Sequence, residues 1–359
     1  VLATFYTVIP ITSNFKVWGN QHMDKSATPV PTSQVGAKKQ DNSSQSGNTL
    51  TYERPFATRS TLRGHIDLLD PVTWVAGPQG FISGALATGA IVLDFKGIGL
   101  LLLGSILCGP LTIGFSQSIN DFYDRELDAL NEPTRPIPAG LVTLRGAVLN
   151  FTVVGFLALV VAGLIGWISG QNQFLLIGLT AIGLVLGWAY SAPPFEFKRN
   201  GLSGPLSVGL GYNLMTWITG NLVFASFRWE IFVLALVSAA IAVGLLIMND
   251  LKSIEGDRKL GLRTLPVTRG AQGALIVAYL FIDLSQLAFL VFLLVTGHYW
   301  IAGLQVIALL VQFNAQRSLY RNPTHDQFKR YLLAGNGLIL LVALLSALSF
   351  ANYVPFNGW

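Results

Sequence analysis

The feature that most constrains this chain is a near-continuous succession of apolar runs from about residue 71 to the C-terminal end. A run of about 20 apolar residues is long enough to cross a bilayer as a helix. Nine runs qualify, at 72–92, 97–119, 144–168, 173–191, 203–224, 231–249, 273–296, 299–316 and 331–352. Glycine recurs inside them, as it does in transmembrane helices. The expected fold is therefore an all-α integral membrane protein with nine transmembrane helices. Composition agrees. Hydrophobic residues make up 52% and charged residues 11%, against about 25% charged in an ordinary soluble domain. This excludes a soluble globular protein, a disordered protein and a nucleic-acid binder. The single cysteine, Cys108, lies in an apolar run and reads as a buried thiol, excluding a disulfide framework.

The placement of charge tests the count. With nine spans, the segment before the first and the loops after spans 2, 4, 6 and 8 share one side. That side holds 21 of the 23 Lys and Arg residues, leaving only Lys96 and Arg228 opposite. A miscounted span would scramble the partition. By the positive-inside rule the basic side is cytoplasmic. Residues 1–60 are expected to form a disordered polar tail, separate from a transmembrane domain over 61–359. The stretch from Ser26 to Thr51 is rich in Ser, Thr, Gln, Asn, Gly and Pro and cannot bury a core. Residues 1–15 are too short and polar to span a bilayer and lack a basic leader, which argues against a signal peptide.

An internal echo links the two halves. Asn120-Asp121 follows span 2, and Asn249-Asp250 follows span 6, 129 residues later. Each pair leads through an acidic segment to Arg-x-x-Pro, at Arg135–Pro138 and Arg263–Pro266. Two four-helix halves plus a ninth helix would produce this pattern, and such halves commonly hold a ligand at their interface.

The echoed segments carry the chemistry. On a helix, Asp121, Asp124 and Asp128 lie at i, i+3 and i+7 and share a face, with Asn120 at its edge. Carboxylates so close repel unless a cation neutralises them. Hard oxygen donors suit Mg²⁺, which binds through one or two carboxylates plus substrate phosphates. In the second segment Asp250 and Asp257 share a face if the helix persists past Gly256; Lys252 and Glu255 point elsewhere. A single cluster would also fit a solvated acidic helix end. Two at the same membrane face, flanked by Arg125, Arg135, Lys252 and Arg258, describe a diphosphate–metal site. A third segment on that face, Tyr190–Gly201, ends its helix at Pro193-Pro194 and presents Lys198 and Arg199. These two serve equally as phosphate ligands or as topology anchors. Asp283, with Gln286 nearby in span 7, is a functional candidate by position, although a buried hydrogen-bonded carboxyl is the preferred reading. His65, His298 and His325 show no metal-ligand spacing, and no nucleotide-binding loop or nucleophile elbow is present.

These segments resemble the UbiA superfamily of intramembrane prenyltransferases, whose Asn-Asp-x-x-Asp-x-x-x-Asp motif fits Asn120, Asp121, Asp124 and Asp128. NDFYDRELDALNEPTRPIPAG at 120–140, YSAPPFEFKRNG at 190–201, NDLKSIEGDRKLGLRTLPV at 249–267 and PVTW at 71–74 are similar to the chlorophyll and bacteriochlorophyll synthase branch. Two departures stand out. Ser253 occupies a position where many superfamily members have Asp, and VAGPQ at 75–79 differs from the Pro- and Trp-containing stretch expected there.

The resemblance implies transfer of a geranylgeranyl or phytyl group from its diphosphate to the propionate of a chlorophyllide-type tetrapyrrole, with Mg²⁺ as cofactor. It implies metal ligation by Asn120, Asp121, Asp124, Asp128, Asp250 and Asp257, with Asp124, Asp128 and Asp257 the catalytic carboxylates. Arg125, Arg135, Lys198, Arg199, Lys252 and Arg258 become diphosphate ligands, and Tyr190 and Glu255 further site residues. It also implies an inner or photosynthetic membrane, a cytoplasmic active site, and lipids and photosynthetic assembly proteins as partners. A prenyltransferase for a quinone precursor or haem is the nearest rival. A transporter or pigment-binding protein is the non-enzyme alternative, though its need for mid-membrane polarity is met only by Asp283 and Gln286.

Overall fold

The computed structural model describes residues 59–170, 173–259, 261–322 and 325–351. The tail expected over 1–60 therefore lies outside the described residues except for its last two. The chain opens with α1 (Leu62–Asp67), a 3₁₀ turn (Pro71–Val75) and α2 (Ala76–Leu86). Next come α3 (Phe95–Ile106) and α4 (Thr112–Asn131), joined by a π turn (Leu107–Leu111). Helices α5 (Leu144–Ser169) and α6 (Gln173–Ser191) complete the first half. The second half has α7 (Ser203–Val208), a π turn (Gly209–Leu214), α8 (Met215–Phe224) and α9 (Trp229–Asn249). It continues through the short α10 (Ile254–Lys259) to α11 (Leu265–Val295) and α12 (Tyr299–Arg321). The last helical stretch is α13 (His325–Arg330), a π turn (Tyr331–Asn336) and α14 (Gly337–Phe350).

Each of the nine apolar runs contains helix, and helical turns cover nearly all of every run but the first. Five stretches among the described residues are long and apolar enough to cross a membrane: Phe95–Ala129, Leu144–Ser169, Gln173–Ser191, Trp229–Asn249 and Leu265–Val295. The first run differs most from expectation. It is a 3₁₀ turn followed by an 11-residue helix, and Ala87 and Thr88 already leave it.

Local chemistry sets the helix ends. Asp94 accepts from Gly97 N at 2.7 Å at the start of α3, and Thr143 accepts from Gly146 N at 2.9 Å at the start of α5, each satisfying an otherwise unpaired first-turn donor. Pro110 has no N–H to give and sits in the π turn that joins α3 to α4.

Two large hydrophobic cores hold the bundle together. One gathers Leu100, Ala158, Ala162, Ile165 and Leu184. The other gathers Ile247, Ala274, Ala278, Ile282 and Phe289. Small residues join the halves where α2 crosses α8. A Cβ on Gly84 would stand 2.1 Å from the Trp217 carbonyl oxygen, and one on Gly220 would stand 2.0 Å from that of Phe81. Such backbone contact, reached without side chains, drives helix association in lipid. Away from the acidic motifs, Arg228 gathers the carbonyls of Ala87 and Thr88 at 3.4 Å and of Phe350 at 3.3 Å. It thus caps the C-terminal ends of α2 and α14 together.

Candidate functional site

α4 continues unbroken through the first motif, so Asn120, Asp121, Asp124 and Asp128 do share a helix face. Asp121 is 2% exposed and pairs with Arg135 Nη1 at 3.0 Å. Arg135 bridges onward from Nε to Glu132 at 2.8 Å. Burial by itself disfavours the Arg135 cation, but Asp121 and Glu132 outweigh it and hold the guanidinium protonated above its ordinary range. Asp124 receives Lys198 Nζ at 2.6 Å across 74 residues of sequence. Asn120 donates to Ser191 Oγ at 3.0 Å, fastening α4 to the end of α6.

The second motif departs from a continuous helix. A 3₁₀ turn at Asp250–Lys252 breaks the register at Ser253 before α10 begins, so Asp250 and Asp257 do not lie on one straight helical face. Ser253 spends its backbone N–H and its hydroxyl on the Asp250 carbonyl, both at 3.1 Å, stabilising the turn instead of extending the helix. The Ser253 hydroxyl also lies 3.0 Å from Asp257 Oδ2, and Thr264 Oγ1 donates to that oxygen at 3.1 Å. Burial holds Asp257 above the usual carboxylate range, partly offset by these two hydroxyls. The third segment is tied to the second by backbone. Arg263 N donates to Arg199 O at 2.9 Å, and Gly201 N donates to Arg263 O at 3.0 Å. Glycine is required at 201, because a Cβ would stand 2.3 Å from Leu265 N.

Not every expected cation faces the cluster. Arg125 turns back to the Phe122 carbonyl at 2.7 Å and to Glu126 at 3.2 Å. Arg199 pairs with Glu196 at 2.9 Å and is mostly exposed. Arg258 and Glu255 are exposed. The side chain of Lys252 lies outside the described residues. Among the described side chains, Arg135 and Lys198 are expected cations that the structure sets directly on the carboxylates of the first motif.

Beneath the motifs, a cavity of about 310 Å³ enters the bundle between α4, α6, α8 and α9. Gln117, Tyr190 and Asn249 mark its polar end, and Leu179, Leu186, Met215, Leu245 and Leu246 line its walls. From Leu179 to Tyr190 it follows α6 for about 16 Å. Thr216 and Thr219 also line it but give their hydroxyls to the carbonyls of Tyr212 and Met215, both at 2.8 Å. The walls are therefore more apolar than their composition suggests. Gln117, one turn before Asp121, and Asn249, immediately before Asp250, both line this polar end together with Tyr190, which sets both motifs around one mouth. The carboxylates crown this mouth; none of them lines the cavity.

Sequence reasoning missed Gln117, Asn249 and Asp70. Gln117 stands one helical turn before Asp121, and Asn249 has the same motif position as Asn120, so spacing and the echo both pointed to them. Asp70, just before PVTW, lies near Gln117 Nε2 at 3.5 Å. Burial raises it above the usual carboxylate range, while Arg135 draws it back down. Asp283 is half-buried and has the hydrogen-bonded role preferred for it. Its Oδ1 accepts from Gln312 and Gln316 at 2.5 and 2.7 Å. The chain of amides continues through Gln286 to Gln305, a polar seam between α11 and α12 away from the cavity.

Residues 80–336 match the model of the UbiA prenyltransferase family. The chain belongs to the UbiA prenyltransferase family. Within it the chain falls in the bacteriochlorophyll and chlorophyll synthase branch. It is 34% identical over 294 residues to the bacteriochlorophyll synthase 33 kDa chain of Rhodobacter capsulatus, covering 80% of this chain and 93% of that one. It is 35% identical over 276 residues to the 34 kDa chain of Chloroflexus aurantiacus, covering 77% and 86%. Its fold is similar to a UbiA homolog from Archaeoglobus fulgidus bound to GPP and Mg²⁺, with a TM-score of 0.59 and 20% identity over 80% of this chain and 99% of that one.

The donor set of this UbiA member fits a magnesium ion. Two side-chain oxygens at the mouth, Asp121 Oδ2 and Asn249 Oδ1, are buried without a hydrogen-bond partner, an arrangement that costs free energy unless a cation or substrate group meets them. Among the described residues no three carboxylates or imidazoles converge on one point.

Proposed function

We propose that this chain transfers a prenyl group from its diphosphate to the propionate carboxylate of a (bacterio)chlorophyllide, forming an ester. The observation that carries the reading is that Gln117 and Asn249, beside the two acidic motifs, share the polar end of an apolar cavity, with Arg135 and Lys198 paired to the carboxylates of the first motif. The similarity to bacteriochlorophyll synthases selects the acceptor. Nine membrane-spanning helices, a cytoplasmic mouth and a polar tail over 1–60 complete the proposal. The charge partition supports the topology, with 21 of 23 basic residues on one side.

In this reading Asn120, Asp121, Asp124, Asp128, Asp250 and Asp257 would hold Mg²⁺, which when bound supplies positive charge against the leaving diphosphate. Arg135 and Lys198 are poised to exchange a carboxylate for a phosphate oxygen, since both already make charge-assisted bonds at the mouth. Arg125, Arg199, Lys252 and Arg258 would serve as the remaining diphosphate ligands. The cavity walls take the prenyl chain and keep water from the allylic carbon. The bond from that carbon to the diphosphate oxygen breaks, and the diphosphate leaves with the electron pair. A propionate oxygen then bonds to the carbon. The carboxylate is already nucleophilic, so no general base is needed. Asp124, Asp128 and Asp257 are the catalytic carboxylates because they set the charge and position of the leaving group. Tyr190 closes the cavity beneath them, and Glu255 adds charge at the rim.

The test is esterification in cells whose own synthase gene is deleted. The native chain is expected to restore esterified pigment. Asp124→Asn and Asp128→Asn, present at equal level in the membrane, are expected not to. Full restoration by both variants would overturn the reading.

A further inference from the structure

Two glycines in the cavity wall have no packing reason to be glycine. Inside a helix glycine is destabilising relative to alanine, and most helical glycines near the cavity offset this by close approach. A Cβ on Gly187 of α6 would stand 3.1 Å from Ser116. One on Gly209 would stand 2.7 Å from Val243 and 2.8 Å from the Ala239 carbonyl. Gly183, one turn deeper on α6, behaves differently: its Cβ would meet only Met215 Sδ, at 3.7 Å. Gly211, in the π turn before α8, would meet nothing within 4 Å. Both line the cavity. Gly99, Gly178 and Gly303 are equally open but do not line it, so openness alone is not the signal.

What these two residues leave is room in the deep half of the cavity. Gly183 lies about 10 Å along α6 from Tyr190 at the mouth. The π turn carrying Gly211 is anchored from behind, where Ser238 Oγ of α9 donates to Asn213 Oδ1 at 3.2 Å. The wall at 211 is thus held by its neighbour helix, and the groove is a fixed part of the cavity. Met215, which faces Gly183, lies one residue beyond this turn.

We infer that Gly183 and Gly211 set the length of prenyl chain the enzyme accepts, by keeping the deep half of the cavity open to the distal isoprene units. This rests on the reading above, that the cavity holds the prenyl chain while the diphosphate sits at the mouth. A side chain at either position grows into the cavity without displacing backbone, so it obstructs only a chain long enough to reach it. Chain length, rather than diphosphate binding or chemistry, is what such a substitution changes.

The experiment compares geranyl, farnesyl and geranylgeranyl diphosphate as donors to one chlorophyllide, using the full chain in native membranes. Gly183→Leu and Gly211→Leu are expected to lower kcat/KM for geranylgeranyl diphosphate by about 100-fold, the scale of steric discrimination in an apolar pocket. Geranyl diphosphate is expected to stay within about threefold of the unaltered chain. Gly183→Ala and Gly211→Ala, which add a single methyl, are expected to give smaller losses of the same pattern. They keep the test open should a leucine variant fail to accumulate. Equal losses for all three donors, or no loss for the longest in variants with unchanged unfolding temperature, would overturn the inference. If the unaltered chain uses neither these three donors nor phytyl diphosphate, the proposed function itself falls, and this inference with it.

Discussion

Removing Arg135 should unlink the first motif, and the structure sets the size of the effect. Among the described residues its guanidinium is the partner of the Asp121 carboxylate, through Oδ1 at 3.0 Å, while Oδ2 is buried with none. Breaking a buried pair by deleting one partner costs about 3–5 kcal/mol, because the other charge stays behind. Arg135 is 32% exposed, so water recovers part of this, and about 2–3 kcal/mol is the expected loss for Arg135→Ala. Asp121→Asn in the same chain removes the stranded charge and should restore about half of that stability. It should not restore activity, because the phosphate-facing cation and the metal-facing carboxylate are both gone. The assay is thermal unfolding of purified protein in detergent, run beside KM for the prenyl diphosphate. Lysine at 135 is expected to rescue poorly, since one ammonium does not reproduce the fork that reaches Asp121 and Glu132 together. An unchanged unfolding temperature in Arg135→Ala, or no recovery in the double variant, would refute the reasoning.

Lys198→Met should lower kcat/KM for the diphosphate by about tenfold or more, the worth of one charge-assisted bond, with unfolding little changed; donor steady-state kinetics checks this. The Asp257 carboxyl, raised by burial, must lose its proton when it binds a cation. Apparent Mg²⁺ affinity should therefore weaken as pH falls, starting above the ordinary aspartate range near ~4, and Asp257→Asn should flatten that dependence in a titration by calorimetry. The sign for folding is opposite. A raised carboxyl favours the folded state while protonated, and that stability is lost as pH rises through its folded pKa. Arg228→Ala should cost about 1 kcal/mol of stability by freeing the helix ends it caps, while donor KM stays within about twofold; a large KM change would show that the far side of the bundle reports on the site.

The helices were legible because the bilayer demands long apolar runs, and that demand is written into composition over about 20 residues. The face shared by Asp121, Asp124 and Asp128 was legible because helix geometry fixes it. The second motif was not, because Ser253 can either sit in a helix or cap a turn, and its bonds to the Asp250 carbonyl decide for the turn. The pairing of Lys198 with Asp124 was hidden for another reason. It spans 74 residues and depends on how α4 and α6 end beside each other. The π turns at 107–111 and 209–214 have no sequence signature beyond Pro110, yet both line the cavity. The polar seam on α12 could have been anticipated: Gln305, Gln312 and Gln316 recur at i, i+7 and i+11, one face of a helix opposite Asp283 and Gln286.

The central claim is that the site joins a prenyl diphosphate to a chlorophyllide carboxylate under magnesium. The most direct measurement supplies membranes containing the protein with geranylgeranyl or phytyl diphosphate, Mg²⁺ and each chlorophyllide in turn. Product is read as a chromatographic shift to esterified pigment, with EDTA and 4-hydroxybenzoate as controls. The account predicts an ester with at least one chlorophyllide, abolished by EDTA, and no product from the benzoate. Ring prenylation of the benzoate with no chlorophyllide ester, in membranes shown to contain folded protein, would contradict it.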